Sequence, residues 1–294
     1  MRLEWSPNTP CSVVLWSEHG VFGTLRNKKP LLWRLGVTEL VTIQTLKPGL
    51  ALATLNRPER RNALCIDLLE RLCEHVEHLA ADKSNRVLIL RGAGPVFCSG
   101  LDLLEASNPE LVQRSAECVA RALKLMRQTR LVTIAAAHGG AYAGGAGLMA
   151  SCDIAIGSTD LKVGFPEAQR GLLPALICSV LSPKIKEGDL RELFLVGNTI
   201  DAARSQQIGL LQRVVERNDL LEEAIEIALG VLAGGPQTIE ATKALLNQAY
   251  VAHDSVSLNR MLEVHLGARH SPEAQEGLAA FVEKRRPDWT TTTP

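Results

Sequence analysis

The sequence lacks the features that would assign it to several specialised classes of protein. Its 32 basic and 32 acidic residues cancel, so no overall charge attracts nucleic acid or an anionic membrane surface. No apolar run approaches the ~20 residues that cross a bilayer, and the first residues contain no continuous apolar stretch of a secretory signal. We therefore expect a cytoplasmic protein that binds neither nucleic acid nor membrane.

Cysteine is present but follows no pattern. The seven cysteines are scattered, without a CxxC pair and without a Cys/His spacing that suits a metal. An odd, unclustered set predicts free thiols in a reducing compartment and no metal site. Cys98 lies inside a glycine-rich turn, where a nucleophile is conceivable. No base stands near it in the sequence, so a packing role is favoured.

The most informative features that are present are two glycine-rich turns. The segment GAGPVFCSGLD at 92–102 follows an apolar run at 87–90, and HGGAYAGGAG at 138–147 follows a similar run at 131–134. Each predicts a buried strand, a glycine turn and the start of a helix. Such a unit exposes backbone N–H groups beside the partly positive end of a helix. Two of them can direct one amide each at a single oxygen atom, which makes an oxyanion hole.

Strand and helix patterns alternate along most of the chain. Strands are predicted at 38–46, 50–55 and 151–156, and helices at 66–81, 111–126, 190–196, 220–232 and 239–252. This α/β alternation indicates mainly parallel strands with helices packed outside them. After about Asp219 no strand pattern remains. We predict a poorly ordered N-terminal extension (1–36), a core that carries the site (37–218) and a helical C-terminal region (219–294).

Four blocks together resemble the crotonase (enoyl-CoA hydratase/isomerase) superfamily over residues 37–289. They are LNRPERRNAL at 55–64, the two glycine turns, and GFPE at 164–167; EGLAAFVEKRRP at 276–287 is similar to the last helix of that family. The resemblance implies an α/β fold of the crotonase (ClpP-like) type, a spiral of ββα turns with a C-terminal helical region that trimerises. A homotrimer or hexamer follows, and we assign part of the apolar face formed by Leu258, Met261, Leu262 and Leu266 to contacts between subunits.

The resemblance also implies a site for an acyl-CoA thioester. The backbone amides of Leu101 and Gly144 would hold the thioester oxygen, and Glu167 would move a proton at the acyl chain. Coenzyme A is part of the substrate, so no separate cofactor is expected. The residues assigned to coenzyme A are Asn62, Ala63 and Leu64 through backbone groups, Arg57, Arg60 and Arg61 as phosphate ligands, and Lys284 from a neighbouring subunit.

One position departs from the pattern of two-acid hydratases, which have a glutamate five residues before the Cys-Asp pair; here it is Gly147. A single acid resembles Δ3,Δ2-enoyl-CoA isomerases. It also resembles bacterial relatives of methylglutaconyl-CoA hydratases, which share this glycine and a segment similar to GLLPA at 171–175. We place hydration first and double-bond isomerisation second. Five other polar side chains are candidates for the second acid, but local or structural roles are favoured for all of them: Asp102, Glu105, His138, Tyr142 and Asp153.

Two other classes of function compete with an acyl-CoA enzyme. A non-catalytic or RNA-binding homologue is opposed by the zero net charge and by the intact pair of oxyanion turns. A dinucleotide-binding dehydrogenase is excluded because GGAG at 144–147 lacks the GxGxxG spacing and no ribose-binding acid is suitably placed. Absence of coenzyme A binding would favour the first of these alternatives.

Overall fold

The computed structural model describes residues 39–250 and 255–290, together with three short strands nearer the N-terminus. The chain divides into two compact units, 1–39 and 40–294. The first unit contains β1 (Leu3–Glu4), β2 (Val14–Ser17) and β3 (Gly20–Thr24), which pair antiparallel in that order. Most of the predicted N-terminal extension lies outside the described residues.

The second unit is built on two sheets. Its strands are β4 (Val41–Lys47), β5 (Leu50–Leu55), β6 (Val87–Gly92), β7 (Val132–Ala137), β8 (Gly140–Tyr142), β9 (Ile154–Ser158), β10 (Lys162–Gly164), β11 (Thr199–Asp201) and β12 (Arg213–Val215). The main sheet has the order β12-β9-β7-β6-β5-β4, and only the β4–β5 hairpin in it is antiparallel. A smaller sheet has the order β11-β10-β8.

The two sheets are connected as a spiral. From β7 the chain passes through β8 in the small sheet and into a helix, and from β9 it passes through β10 in the same way. Earlier turns of the spiral continue the small sheet through single bridges, Cys98 to Ala141 and Leu64 to Leu101. These repeated ββα turns confirm the predicted α/β class and the spiral.

The helices cover the sheets and form the C-terminal region. They are α1 (Ile66–Ala81), α2 (Leu103–Ala106), α3 (Val112–Gln128), α4 (Gly144–Ser151), α5 (Ala175–Leu181), α6 (Glu187–Val196), α7 (Ala202–Gln207), α8 (Leu220–Ala233), α9 (Pro236–Tyr250), α10 (Ser255–Arg269) and α11 (Pro272–Val282). Short 3-10 turns lie at Pro58–Arg60, Ala168–Arg170 and Asp288–Thr290. Helix α1 has the predicted bounds because its apolar residues recur at helical spacing.

Both faces of the main sheet are buried, as parallel strands require. Alternate residues of β5 and β6 point to opposite sides. Ala53 and Leu90 join the larger core with α1, α3, α4 and α5, while Leu52 and Ile89 pack against α8. The sheet is therefore fixed from both sides, and the turns at the ends of its strands have a rigid base.

The apolar residues of α10 that were assigned to subunit contacts lie in different surroundings. Met261 and Leu262 are partly buried and pack against the core of their own chain. The side chain of Leu258 lies outside the described residues, so contact of this face with another subunit stays a prediction. Large apolar side chains are also exposed on α9, at Leu245 and Leu246. Among the described helices, none is both long enough and apolar enough to span a membrane.

Candidate active site

The two glycine-rich turns meet at the same place in the fold. Gly100 has a φ of +93°, and a Cβ on it would stand 2.8 Å from the carbonyl oxygen of Tyr142 and 3.5 Å from the amide nitrogen of Gly144. No residue except glycine fits this combination of a positive φ and close backbone contact. The carbonyl of Gly100 also accepts a hydrogen bond from the amide of Leu64, 2.8 Å away. The first turn is thus held between the second turn and the 55–64 segment.

The amides of Leu101 and Gly144 are both free. Gly144 is the first residue of α4, so its N–H has no acceptor within the helix. Neither amide donates a hydrogen bond to the described part of the chain. The preceding residue, Ala143, has a φ of +49°, a conformation that costs about 1–3 kcal/mol outside glycine. Its own amide donates to the carbonyl of Gly164 at 2.9 Å, which holds the turn in place.

Leu101 and Gly144 both line one cavity of about 780 Å³. Its walls come from the two turns, the segment around Glu167, α5, and the C-terminal end of α11. The lining is mainly apolar, and this volume is within the range of small-molecule sites. An oxygen bound by the amides would therefore lie in a partly water-excluded pocket, where hydrogen bonds to a developing negative charge are strongest.

Glu167 supplies the acid of the cavity. It directly precedes the 3-10 turn Ala168–Arg170, and its side chain is 6% exposed. Neither carboxyl oxygen has a hydrogen-bond partner. Burial without a donor disfavours the charged form and raises the pKa of Glu167 to about 7, although Arg170 acts in the opposite direction. At neutral pH the group is therefore able both to accept and to donate a proton.

Gly147 lies on α4 but does not line the cavity. A Cβ at this position would stand 3.2 Å from Cγ1 of Ile177 and 3.6 Å from Cδ2 of Leu123. Ile177, on α5, is itself a lining residue. The space in which a second carboxylate would project is thus filled by an isoleucine. Because the φ of Gly147 is not positive, packing rather than backbone conformation restricts this position.

The residues assigned to coenzyme A are placed differently from one another. The side chain of Asn62 is fully buried and its amide donates to three backbone carbonyls, those of residues 93, 96 and 97. The amides of Ala63 and Leu64 donate to the carbonyls of Arg60 and Gly100. The carbonyl oxygen of Ala63 accepts from the amide of Cys65 and from Arg57, whereas that of Leu64 accepts from the amide of Asp102 and keeps a second lone pair for a ligand donor. Contact of this segment with an adenine stays a prediction.

The basic residues predicted for phosphate separate into two groups. Arg57 pairs with Asp102 at 2.6 Å, donates to the carbonyl of Ala63, and is not among the lining residues of the cavity. Arg60, Arg61 and Lys284 do line the cavity and are exposed. The exposed group forms a basic rim open to solvent, whereas Arg57 holds the first glycine turn through Asp102.

The other acidic side chains have structural partners. The carboxylate of Asp102 accepts the amide of Leu104 and caps α2, and that of Glu105 accepts the amide of Ile66 and caps α1. The carboxylate of Asp153 accepts a hydrogen bond from Thr133 and an ion pair from Lys243 at 2.7 Å. Each of these three carboxyl groups has a hydrogen-bond partner, whereas that of Glu167 has none among the described residues.

Two further side chains near the turns have local roles. The ring of His138 contacts the carbonyl of Gly94 at 2.9 Å, and burial lowers its pKa. Burial raises the pKa of Cys98 to about 12, so its sulfur stays a thiol and donates to the carbonyl of Asn62. A nucleophilic role for Cys98 is contradicted by this protonated, fully buried state. Across the described residues, no group of three His, Cys, Asp or Glu is placed to hold a metal.

Two ionisable lining residues were missed by the sequence analysis, Arg170 and His265. Burial and the nearby charge of Arg269 lower the pKa of His265 to about 4, so the ring is neutral, and its Nε2 has no partner. Arg170 stands three residues after Glu167, which is one turn of the 3-10 helix. That spacing was the signal that could have placed Arg170 in the cavity. Nothing local in the sequence places His265, 98 residues after Glu167, beside it.

Comparison with known proteins agrees with this geometry. The family model described as enoyl-CoA hydratase/isomerase matches residues 45–292. Mevalonyl-coenzyme A hydratase of Aspergillus fumigatus is 32% identical over 251 residues, 82% of this chain and 92% of the relative. The crystal structure of an enoyl-CoA hydratase from Mycobacterium avium is 32% identical, with a TM-score of 0.78 over 86% of this chain and all of the other.

A third relative bears on the type of reaction. The crystal structure of a monofunctional enoyl-CoA isomerase from M. smegmatis is 31% identical, with a TM-score of 0.65 over 76% of this chain and 99% of the other. The relatives thus include both hydratases and an isomerase, and all share the fold that brings the two glycine turns together. The chain belongs to the enoyl-CoA hydratase/isomerase family, within the crotonase superfamily.

Proposed function

We propose that the protein hydrates an enoyl-CoA thioester with Glu167 as its single acid and base. One observation carries the proposal: a buried carboxyl without any hydrogen-bond partner lines the same cavity as two free backbone amides. The amides suit the thioester oxygen, and the carboxyl suits the carbon chain beyond it. The hydratases among the relatives of the chain support hydration as the first choice.

One carboxyl group is sufficient to accept and return the proton that hydration transfers. The carboxylate of Glu167 accepts a proton from water while the water oxygen bonds to the β-carbon of the enoyl group. The displaced electron pair moves to the thioester oxygen, and the amides of Leu101 and Gly144 stabilise the resulting enolate. The Glu167 carboxyl then donates its proton to the α-carbon and returns to the carboxylate. A pKa of about 7 suits both halves of this exchange.

A second candidate is migration of the double bond, and the packing of Gly147 favours it. Ile177 fills the space from which a second carboxylate would hold a water molecule. Isomerisation needs no water, because Glu167 removes a proton from one carbon and returns it to another through the same enolate. The monofunctional isomerase among the structural relatives supports this alternative.

Three wider parts of the proposal concern the setting of the reaction. The basic rim of Arg60, Arg61 and Lys284 would bind the phosphates of coenzyme A, with the adenine against the 62–64 backbone. We also propose that the protein is a homotrimer or hexamer in the cytoplasm. A monomer in light scattering at micromolar concentration would contradict the oligomeric state. Apolar side chains exposed on α9 are available for such an assembly.

The two reactions can be followed separately with purified protein. A 2-enoyl-CoA loses its conjugated absorbance on hydration, and a 3-enoyl-CoA gains it on isomerisation. We expect turnover of the 2-enoyl-CoA to a 3-hydroxyacyl-CoA, confirmed by mass. Turnover of the 3-enoyl-CoA alone would replace the first candidate with the second, and failure of both would reject the proposed function.

A further inference from the structure

The cavity contains one half-buried cation whose charge is not balanced by a partner among the described residues. The guanidinium of Arg170 makes no hydrogen bond and no ion pair with any residue that the structure describes. The ring of Phe281 lies against this guanidinium, with its centroid 5.0 Å from Cζ. Arg170 is half-buried, and burial lowers its pKa. A partly desolvated cation of this kind favours an anionic partner.

Arg170 differs from the other cations of the cavity in where it stands. Arg60, Arg61 and Lys284 are exposed at the rim, where a solvated phosphate would lie. Arg170 follows Glu167 by one turn of a 3-10 helix, and its charge acts on the Glu167 carboxyl. Glu167 must reach the carbons that react, and the pantetheine arm separates those carbons from the phosphates of coenzyme A. A cation next to Glu167 therefore belongs to the acyl end of the ligand.

The remaining polar groups of the cavity do not neutralise Arg170. Asp102 is already paired with Arg57, and His265 is neutral because its pKa is lowered to about 4. Glu167 has a pKa of about 7 and must change its charge during the reaction. Arg170 therefore has no partner of fixed negative charge among the described residues, and an anionic group on the ligand would supply one.

We propose that the acyl pocket takes an acyl-CoA whose acyl chain ends in a carboxylate, and that Arg170 binds this carboxylate. The inference rests on the proposed function, since it assumes that an acyl-CoA occupies the cavity. A planar guanidinium offers two parallel N–H groups to a carboxylate, which gives geometric selectivity as well as binding. A chain with an apolar end would leave the buried charge unpaired.

Saturated ligands test binding without any need for turnover. Glutaryl-CoA and pentanoyl-CoA have acyl chains of equal length, and only the first ends in a carboxylate. Calorimetry on the full chain should show tighter binding of glutaryl-CoA. Arg170→Met should weaken glutaryl-CoA by about tenfold to a hundredfold, the usual worth of a hydrogen-bonded charge, and pentanoyl-CoA by less than about threefold. Arg170→Gln, which keeps N–H donors without charge, guards against a folding defect in the methionine variant.

The matched control is Arg60→Met, the same substitution on the exposed rim. It should weaken both ligands equally if the rim binds phosphate. The inference is overturned if Arg170→Met weakens both ligands equally, which would assign Arg170 to the phosphates, or if the wild-type protein does not prefer glutaryl-CoA. Loss of this preference with hydration intact would reject the inference alone. A retained preference without turnover of any enoyl-CoA would reject the proposed reaction alone.

Discussion

Two walls of the cavity differ in what they can contribute to chemistry. The wall formed by Glu167 and the turn after it has a carboxyl without a hydrogen-bond partner and, at Arg170, a guanidinium that pairs with no carboxylate among the described residues. The wall formed by Ile177, backed by Gly147 on α4, is apolar. The difference shows how the small size of Gly147 limits the cavity to one catalytic carboxyl group. Where residue 147 has no side chain, its neighbour closes the space, and the reaction depends on one carboxyl.

The largest expected effect comes from removing the acid of the polar wall. Glu167→Gln keeps the shape of the side chain but cannot accept a proton. Turnover should fall by about 10²–10⁴-fold, the usual contribution of a general acid or base. Affinity for coenzyme A should stay unchanged, because no contact to the rim is altered. Steady-state kinetics and calorimetry on the same preparation measure the two quantities.

Glu105→Gln is the matched control for that loss. Glu105 is a partly buried carboxylate outside the lining of the cavity, where it caps α1 through the amide of Ile66. Its replacement should cost about 0.5–2 kcal/mol of stability and leave turnover nearly unchanged. An equal loss of turnover in both variants would contradict the special role of Glu167.

The second effect is a dependence of folding stability on pH, which the raised pKa of Glu167 causes. Between its ordinary pKa of 4.5 and its folded pKa of about 7, Glu167 keeps its proton in the folded chain and loses it on unfolding. Folding stability therefore falls as pH rises through this window, by about 3 kcal/mol in total. Glu167→Gln should remove the decline. Its gain in unfolding free energy over wild type should grow from pH 5 to pH 8.

Urea denaturation of both proteins at several pH values measures this difference, since the contributions of all other groups cancel. Parallel curves for the two proteins would mean that folding does not perturb Glu167. A gain that grows toward low pH would have the wrong sign and would indicate that the carboxylate has a partner in solution.

The third and smallest effect concerns the apolar wall. Gly147→Glu alone places a Cβ 3.2 Å from Ile177 and should destabilise the protein by about 1–3 kcal/mol, the usual cost of overpacking. The double variant Gly147→Glu, Ile177→Ala makes room for the carboxylate. It should raise hydration relative to isomerisation, which assays with 2-enoyl- and 3-enoyl-CoA measure. Gly147→Ala is the control for helix propensity, and Ile177→Ala is the control for the enlarged pocket. An increase with Gly147→Glu alone would contradict the packing argument.

The sequence predicted those turns and helices whose conformation is determined by residues close together in the chain. The two glycine turns were identified because a buried run followed by glycine is a short, self-contained signal, and α1 had a clear helical period. Glu167 was assigned from the resemblance of the GFPE block to the family pattern. The strands of the small sheet were missed because three residues, as in β8, β10 and β11, are too few to show a period. The sheet forms through pairings between distant segments.

The charges of the site were harder to predict for the same reason. Arg57 looked free in the sequence, but Asp102, 45 residues later, pairs with it. Arg170 was not assigned to the site, because its spacing from Glu167 becomes informative only once both residues are known to line one cavity. Met261 and Leu262 suggested a surface between subunits, and in the fold they are partly buried against the core of their own chain. Each outcome depends on tertiary contacts that spacing along the chain does not encode.

The pH profile of kcat/KM tests the central claim, that one carboxyl moves both protons, most directly. With Glu167 as the only group, the rate should rise along a single ionisation centred near pH 7 and then stay level to about pH 9. A bell-shaped profile, with a second ionisation that lowers the rate at alkaline pH, would reveal a separate acid and contradict the account.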